Sequence, residues 1–175
     1  YLDRQDVRWG AEAAVAQLGG LGPLVELKAR FDEERNITWA STLEQAGAIV
    51  TYGVAKLKVH AKLAMVIRKA KDGSIRKYLH LSTGNYNEKT SKIYSDLCLM
   101  TASKEIGNDA VQFFKNMALG NLNMSYKNLL VAPADFKRSI IALIDEEIEK
   151  QNKGEDAGIL FKLNSLTDRE IIDKL

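Results

Sequence analysis

The sequence predicts an α/β protein in which helices flank a mixed sheet. Three observations carry that expectation. Short β-branched apolar runs alternate with helical stretches, a strong hairpin signal joins two of the runs, and one sixteen-residue segment keeps helical apolar spacing. A strand, helix, strand order with an inserted hairpin requires parallel and antiparallel neighbours in one sheet.

Residues 23–27 (Pro-Leu-Val-Glu-Leu) read as a short apolar strand. Over 36–46, Ile37, Leu43 and Ala46 fall at near-helical spacing, and Gly47 suits the helix end. Residues 48–52 form a compact strand that stops at Gly53. Strands are expected again over 59–67 and 75–81. Between them Lys71-Asp72-Gly73-Ser74 marks a hairpin, with glycine supplying the positive φ of a tight turn. Residues 96–101 add a strand. The segment 104–119 is a helix with Ile106, Ala110, Phe113, Phe114 and Met117 along one side.

A second unit is expected from about Ser125, dividing the chain into 1–124 and 125–175. Residues 129–132 read as a strand, and Pro133 stands where a helix can begin. Phe136, Ile140, Ile141, Ile144 and Ile148 mark an apolar helical stripe reaching about residue 151. After a break at 154–158, residues 159–163 return to strand, and 167–170 open a last helix with a good N-cap.

The 175 residues, 46% hydrophobic and 27% charged, have the balance of a soluble globular protein. A lone cysteine, Cys98, rules out a disulfide framework, fits a reducing compartment and reads as a small core residue. No apolar run approaches the roughly 18 residues of a membrane span, and the N-terminus lacks a signal-peptide pattern. A start on Tyr1 and an end inside a helical pattern suggest a piece of a longer protein. Charge is segregated. Ten basic residues stand against Asp72 and Glu88 between Gly53 and Lys92, a local +8 that leaves the remainder at −6. Such a field attracts polyanions.

The stretch Leu57-Lys58-Val59-His60-Ala61-Lys62-Leu63 lies inside that field. On a strand, residues two apart face the same way, so His60 and Lys62 are expected to project together. A turn, Thr83-Gly84-Asn85-Tyr86-Asn87, follows some twenty residues later. A nucleophilic imidazole beside fixed cations suits phosphoryl transfer.

Taken with Val25-Glu26-Leu27-Lys28-Ala29-Arg30-Phe31-Asp32-Glu33-Glu34, Glu88-Lys89-Thr90 and Tyr94-Ser95-Asp96, these motifs closely resemble the histidine-autophosphorylating bacterial polyphosphate kinases, from about Leu24 to Leu175. The resemblance implies two phospholipase D-like catalytic domains: most of the first here, with the beginning of the second. It implies that His60 accepts the γ-phosphoryl group of ATP and that Lys62 neutralises the transferring phosphate. It places Tyr94 at the nucleotide, and Asn85 and Asn87 at phosphate oxygens. Arg30 matches an arginine of the magnesium and phosphate site. Arginine is a poor metal ligand, so a phosphate clamp suits it better. Mg²⁺, ATP/ADP and inorganic polyphosphate are the implied cofactor and substrates. Further domains of the full enzyme, a homo-oligomer, peripheral membrane contact, a cytoplasmic location and no specific nucleic acid complete the implied setting.

The chain departs from the His-x-Lys-x4-Asp pattern of phospholipase D-like enzymes, since Ile67 stands five residues after Lys62. An orienting partner for the imidazole is then expected elsewhere, at Glu26 or Asp96. Ile67 weighs against a phosphodiesterase half-site. A noncatalytic polyanion-binding module is a third reading, weakened because Tyr78 and Tyr86 are the only aromatics in the basic segment. His80 shares a strand face with Tyr78 and Ser82 and reads as supporting. No Gly-x4-Gly-Lys-Ser/Thr run is present, so a P-loop is excluded.

Overall fold

The computed structural model describes residues 13–18, 24–26, 40–51 and 59–175, with backbone alone for the first two segments and Thr51. Two compact units divide the chain, residues 1–121 and 122–175.

The first unit carries one six-stranded sheet. Its strands are β1 (Ala13–Leu18), β2 (Leu24–Glu26), β3 (Ile49–Thr51), β4 (Leu63–Lys69), β5 (Ile75–Ser82) and β6 (Cys98–Thr101), in spatial order β3-β2-β1-β4-β5-β6. β1 runs parallel to β4 and β2 parallel to β3, while β1–β2, β4–β5 and β5–β6 are antiparallel. The mixed sheet is the one the sequence predicts. β1 was not anticipated. Ala-Ala-Val-Ala-Gln-Leu has weak β-propensity, and pairing on both sides overrides it. Helix α1 is described over residues 40–45, where Ala40 packs with Ala48 beneath Leu43 and Val50.

The β4–β5 hairpin forms as its turn dictates. Gly73 adopts φ 81°, Gly73 N–H donates to Ala70 O at 3.0 Å, and Ala70 N–H donates to Ser74 O at 2.8 Å. Asp72 Oδ1 accepts from the Ser74 hydroxyl at 2.6 Å and amide at 2.9 Å, which holds its carboxyl below the ordinary carboxylate range.

Strand alternation sorts the hairpin into two faces. Leu63, Met65 and Leu79 are buried on the face that α3 (Lys104–Leu119) covers with Ala110, Phe113 and Phe114. Burial of a large apolar side chain is worth about 1.5–3 kcal/mol, so each of these side chains contributes on that scale to the unit's stability. Gly107 lets the helix approach closely, because a Cβ there would meet Lys77 Cδ at 3.1 Å. The helix begins at Ser103, whose hydroxyl accepts from Ile106 N–H at 3.2 Å, and ends at left-handed Gly120.

Two expectations in this unit are corrected. β4 starts at Leu63 rather than Val59, leaving His60 and Lys62 in the irregular approach to the strand. The His60 carbonyl accepts the Lys62 ammonium at 2.8 Å, which turns it toward a side chain rather than a neighbouring strand. Cys98 is exposed rather than in the core, because β6 is the sheet edge and leaves both Leu99 and Met100 open as well.

In the second unit, α4 (Phe136–Asn152) has the expected apolar stripe, with Ile144 buried. It meets α5 (Arg169–Lys174), which Asp168 caps by accepting from Ile171 N–H at 3.2 Å. Lys137 bridges Asp168 at 2.9 Å and Glu170 at 2.8 Å, and Lys174 reaches Asp145 at 2.6 Å. The strands expected at 129–132 and 159–163 do not form. Buried Asp135 closes the first segment as a turn, its amide donating to Val131 O at 3.2 Å and its Oδ1 accepting from Val131 N–H at 3.3 Å. The second runs without a ladder partner in this unit, and Leu160 is fully open to solvent.

Candidate active site

The site sits at one end of the β4–β5 pair, where β4 begins and β5 ends. Ser82 N–H donates to Lys62 O at 2.9 Å, so one main-chain bond ties the His60–Lys62 approach to the last residue of β5. The loop 83–87 leaves from that same residue.

His60 is exposed beside buried Val59, while Lys62 retains only 5% of its surface. Lys62 Nζ lies 2.8 Å from His60 Nδ1 and 2.8 Å from the His60 carbonyl oxygen. The two side chains meet as expected, although no strand alternation puts them there. An ammonium has only hydrogens to offer, so a neutral imidazole receives this bond on Nδ1 and keeps its own proton on Nε2.

The loop is held from below and from the side. Gly84 N–H donates to Ser82 Oγ at 3.0 Å, and Tyr86 Oη lies 2.7 Å from His80 Nδ1 with the ring centroids 5.5 Å apart. Burial, followed by the nearby Cys98 thiol, pushes the Tyr86 phenol above its ordinary 10.0. Thr83 locks the loop to the chain entering β6. Its hydroxyl donates to Asp96 Oδ1 at 3.0 Å and accepts from Leu97 N–H at 3.0 Å. Asp96 therefore serves the loop at Thr83. Glu26, the other expected partner of the imidazole, has no described side chain.

Asn85 is exposed at the loop apex, where its carbonyl accepts the Asn87 amide at 2.7 Å. Asn87 is the N-cap of α2 (Glu88–Ser91), its Oδ1 accepting from Lys89 N–H at 3.0 Å and Thr90 N–H at 3.1 Å. That role fixes the residue, yet leaves its amide nitrogen outside the cap. Tyr94 follows α2 with 52% of its surface open. Arg30 lies outside the described residues.

Sequence reasoning missed the Tyr86–His80 clamp and the Thr83–Asp96 lock. Neither has a periodic signature; the only signal was Gly84, which a close approach by Asp96 requires. Among the described residues no three His, Cys, Asp or Glu converge as a metal centre. No helix among the described residues is long and apolar enough to cross a membrane.

Comparison with known proteins agrees with this architecture. Residues 13–122 match the family model for polyphosphate kinase C-terminal domain 1, and residues 129–175 match that for C-terminal domain 2. Over 152 residues the chain is 45% identical to polyphosphate kinase of Staphylococcus saprophyticus and 47% identical to that of Mycolicibacterium gilvum. In each case the match covers 87% of this chain and 21% of the relative. The crystal structure of Porphyromonas gingivalis polyphosphate kinase superposes with a TM-score of 0.72 at 30% identity, covering 96% of this chain and 31% of that one. The chain thus spans about a fifth of the length of the curated relatives it matches. The fold is the mixed α/β, phospholipase D-like one of that structure, and the chain belongs to the polyphosphate kinase family.

Proposed function

We propose that this segment carries the nucleophile of an ATP:polyphosphate phosphotransferase, with a reversible phosphohistidine at His60. The observation that carries the proposal is Lys62 Nζ at 2.8 Å from His60 Nδ1. With Nδ1 covered and the proton on Nε2, neither ring nitrogen can attack until Lys62 leaves the ring. The same swing carries its charge to the incoming γ-phosphate, uncovering the nucleophile as the electrophile is neutralised. A bond from ring nitrogen to phosphorus then forms, and the bridging P–O bond breaks with its electron pair leaving on ADP. Attack by a terminal phosphate of the polymer reverses the bonding at nitrogen and lengthens the chain. Loose transition states of this kind depend on positioning and charge.

In this reading Asn85 and the Asn87 amide nitrogen face phosphate oxygens at the loop, Tyr94 lies against the nucleotide, and Arg30 clamps phosphate. Lys62 and Arg30 would stand beside the phosphates of the bound nucleotide, where Mg²⁺, when bound, would supply further charge neutralisation. Residues 1–124 form most of the first catalytic domain and 125–175 open the second. The working protein is a cytoplasmic homo-oligomer with further domains and peripheral membrane contact.

The test is to incubate the full-length protein with γ-labelled ATP. Acid-labile, base-stable label is expected on His60 and is expected to vanish in His60→Ala. Label elsewhere, or polymer synthesis persisting in the variant, overturns the assignment. Salt-sensitive polyanion binding without any label would instead favour a binding module.

A further inference from the structure

The far end of the β4–β5 hairpin carries a cationic cradle that the chemistry at His60 does not use. On the face away from α3, Ala64 stands opposite His80, Val66 opposite Tyr78 and Arg68 opposite Arg76. A shallow hollow of about 380 Å³ there is lined by Arg68, Ala70, Lys71, Asp72, Arg76 and Tyr78. Two like charges directly opposite on a sheet repel. Asp72 relieves Arg76 in part, with Oδ2 at 3.5 Å from its guanidinium. Among the described residues Arg68, Lys69 and Lys71 have no carboxylate within ion-pair distance. Three exposed cations, Arg68, Lys71 and Arg76, thus face one carboxylate, Asp72, around the hollow, while Lys77 lies on the α3 face and donates to Asn108 Oδ1 at 2.8 Å.

Position supplies the second half of the case. Six residue steps along the strand separate Lys62 from Arg68, or roughly 20 Å at the rise of a β-strand. A mononucleotide held at His60 is too short to reach the tip. A linear polyanion is not, and arginine forks on a rigid hairpin suit phosphates repeated along a chain. Tyr78, 42% exposed, adds a hydroxyl to the same face.

We propose that the hairpin tip is a docking site for a distal stretch of linear inorganic polyphosphate whose end is being worked on at His60. The proposal rests on the kinase reading for the location of that end. Long chains would then be gripped at two places, and short ones at one.

The experiment compares the full-length parent with Arg68→Gln/Arg76→Gln and Arg68→Lys/Arg76→Lys. Long-chain polyphosphate and tripolyphosphate are titrated at several salt concentrations, with γ-labelling of His60 measured alongside. The glutamine variant should bind long chains at least tenfold more weakly, with the plot of log K against log salt shallower by roughly one to two. Tripolyphosphate should bind as in the parent, and the lysine variant should recover most long-chain affinity. Unchanged long-chain binding, an equal loss for both lengths, or no recovery with lysine would overturn the docking site. So would displacement of the long chain by heteropolymeric RNA at equal phosphate concentration. Absence of label on parental His60 would refute the kinase reading separately, and the binding comparison would still decide the hairpin.

Discussion

Lys62 Nζ stands 2.8 Å from His60 Nδ1 and 2.8 Å from the carbonyl of the same residue, so one ammonium grips both ends of its neighbour. Lys62→Arg keeps the charge but replaces a compact donor with a broad fork in a nearly closed space. Both Lys62→Arg and Lys62→Met are expected to lose about a hundredfold or more in turnover. Near-parental turnover in the arginine variant would mean that Lys62 supplies only a diffuse field.

The same contact fixes a proton. Neutral His60 should hold hydrogen on Nε2 and present bare Nδ1 to Lys62, which nitrogen-15 NMR of labelled histidine resolves. In Lys62→Met that bias should disappear. A parent with Nδ1 protonated would exclude a hydrogen bond from the Lys62 ammonium to that nitrogen.

Tyr86 makes an alkaline prediction. Its phenol is held above 10.0, chiefly by burial, so the folded state binds that proton more tightly than the unfolded chain. Its contribution is full below pH 10 and falls as pH rises from there through the raised folded value. Tyr86→Phe should flatten the decline while costing about 1 kcal/mol at neutral pH through the lost bond to His80. Denaturant melts across pH 8–11 check both; an equally steep alkaline decline in the variant would exclude Tyr86 as its source.

Gly84→Ala tests the loop lock. A Cβ there would meet Asp96 Cβ at 2.8 Å and press on the carboxylate, so Asp96 must leave Thr83. Overpacking of this kind costs about 1–3 kcal/mol. A melting temperature and a KM for ATP both equal to the parent's would show that the loop tolerates the intrusion.

Much of this was legible in residues whose signals are local. Gly73 announced the hairpin, and apolar spacing gave the long helix over 104–119 with Phe113 and Phe114 on its buried side. What failed depended on pairing with distant residues. β1 exists because β2 and β4 flank it, and 159–163 lacks the neighbour that would make it a strand. His60 and Lys62 were found by chemistry and misplaced by one structural class. Alternation puts them side by side on paper, whereas in the protein a lysine folding back on its neighbour does so. The resemblance supplied roles that spacing could not, and Asn87 shows its limit: the residue is first of all a helix cap.

The approach to β4 is anchored to the sheet through Ser82 N–H and Lys62 O, two groups that every pairing of ordinary residues supplies. Side-chain identity at 60 and 62 is therefore decoupled from the attachment that positions it. Substitution at either position leaves that main-chain anchor in place, so a loss of chemistry at this end of the sheet need not be a loss of fold.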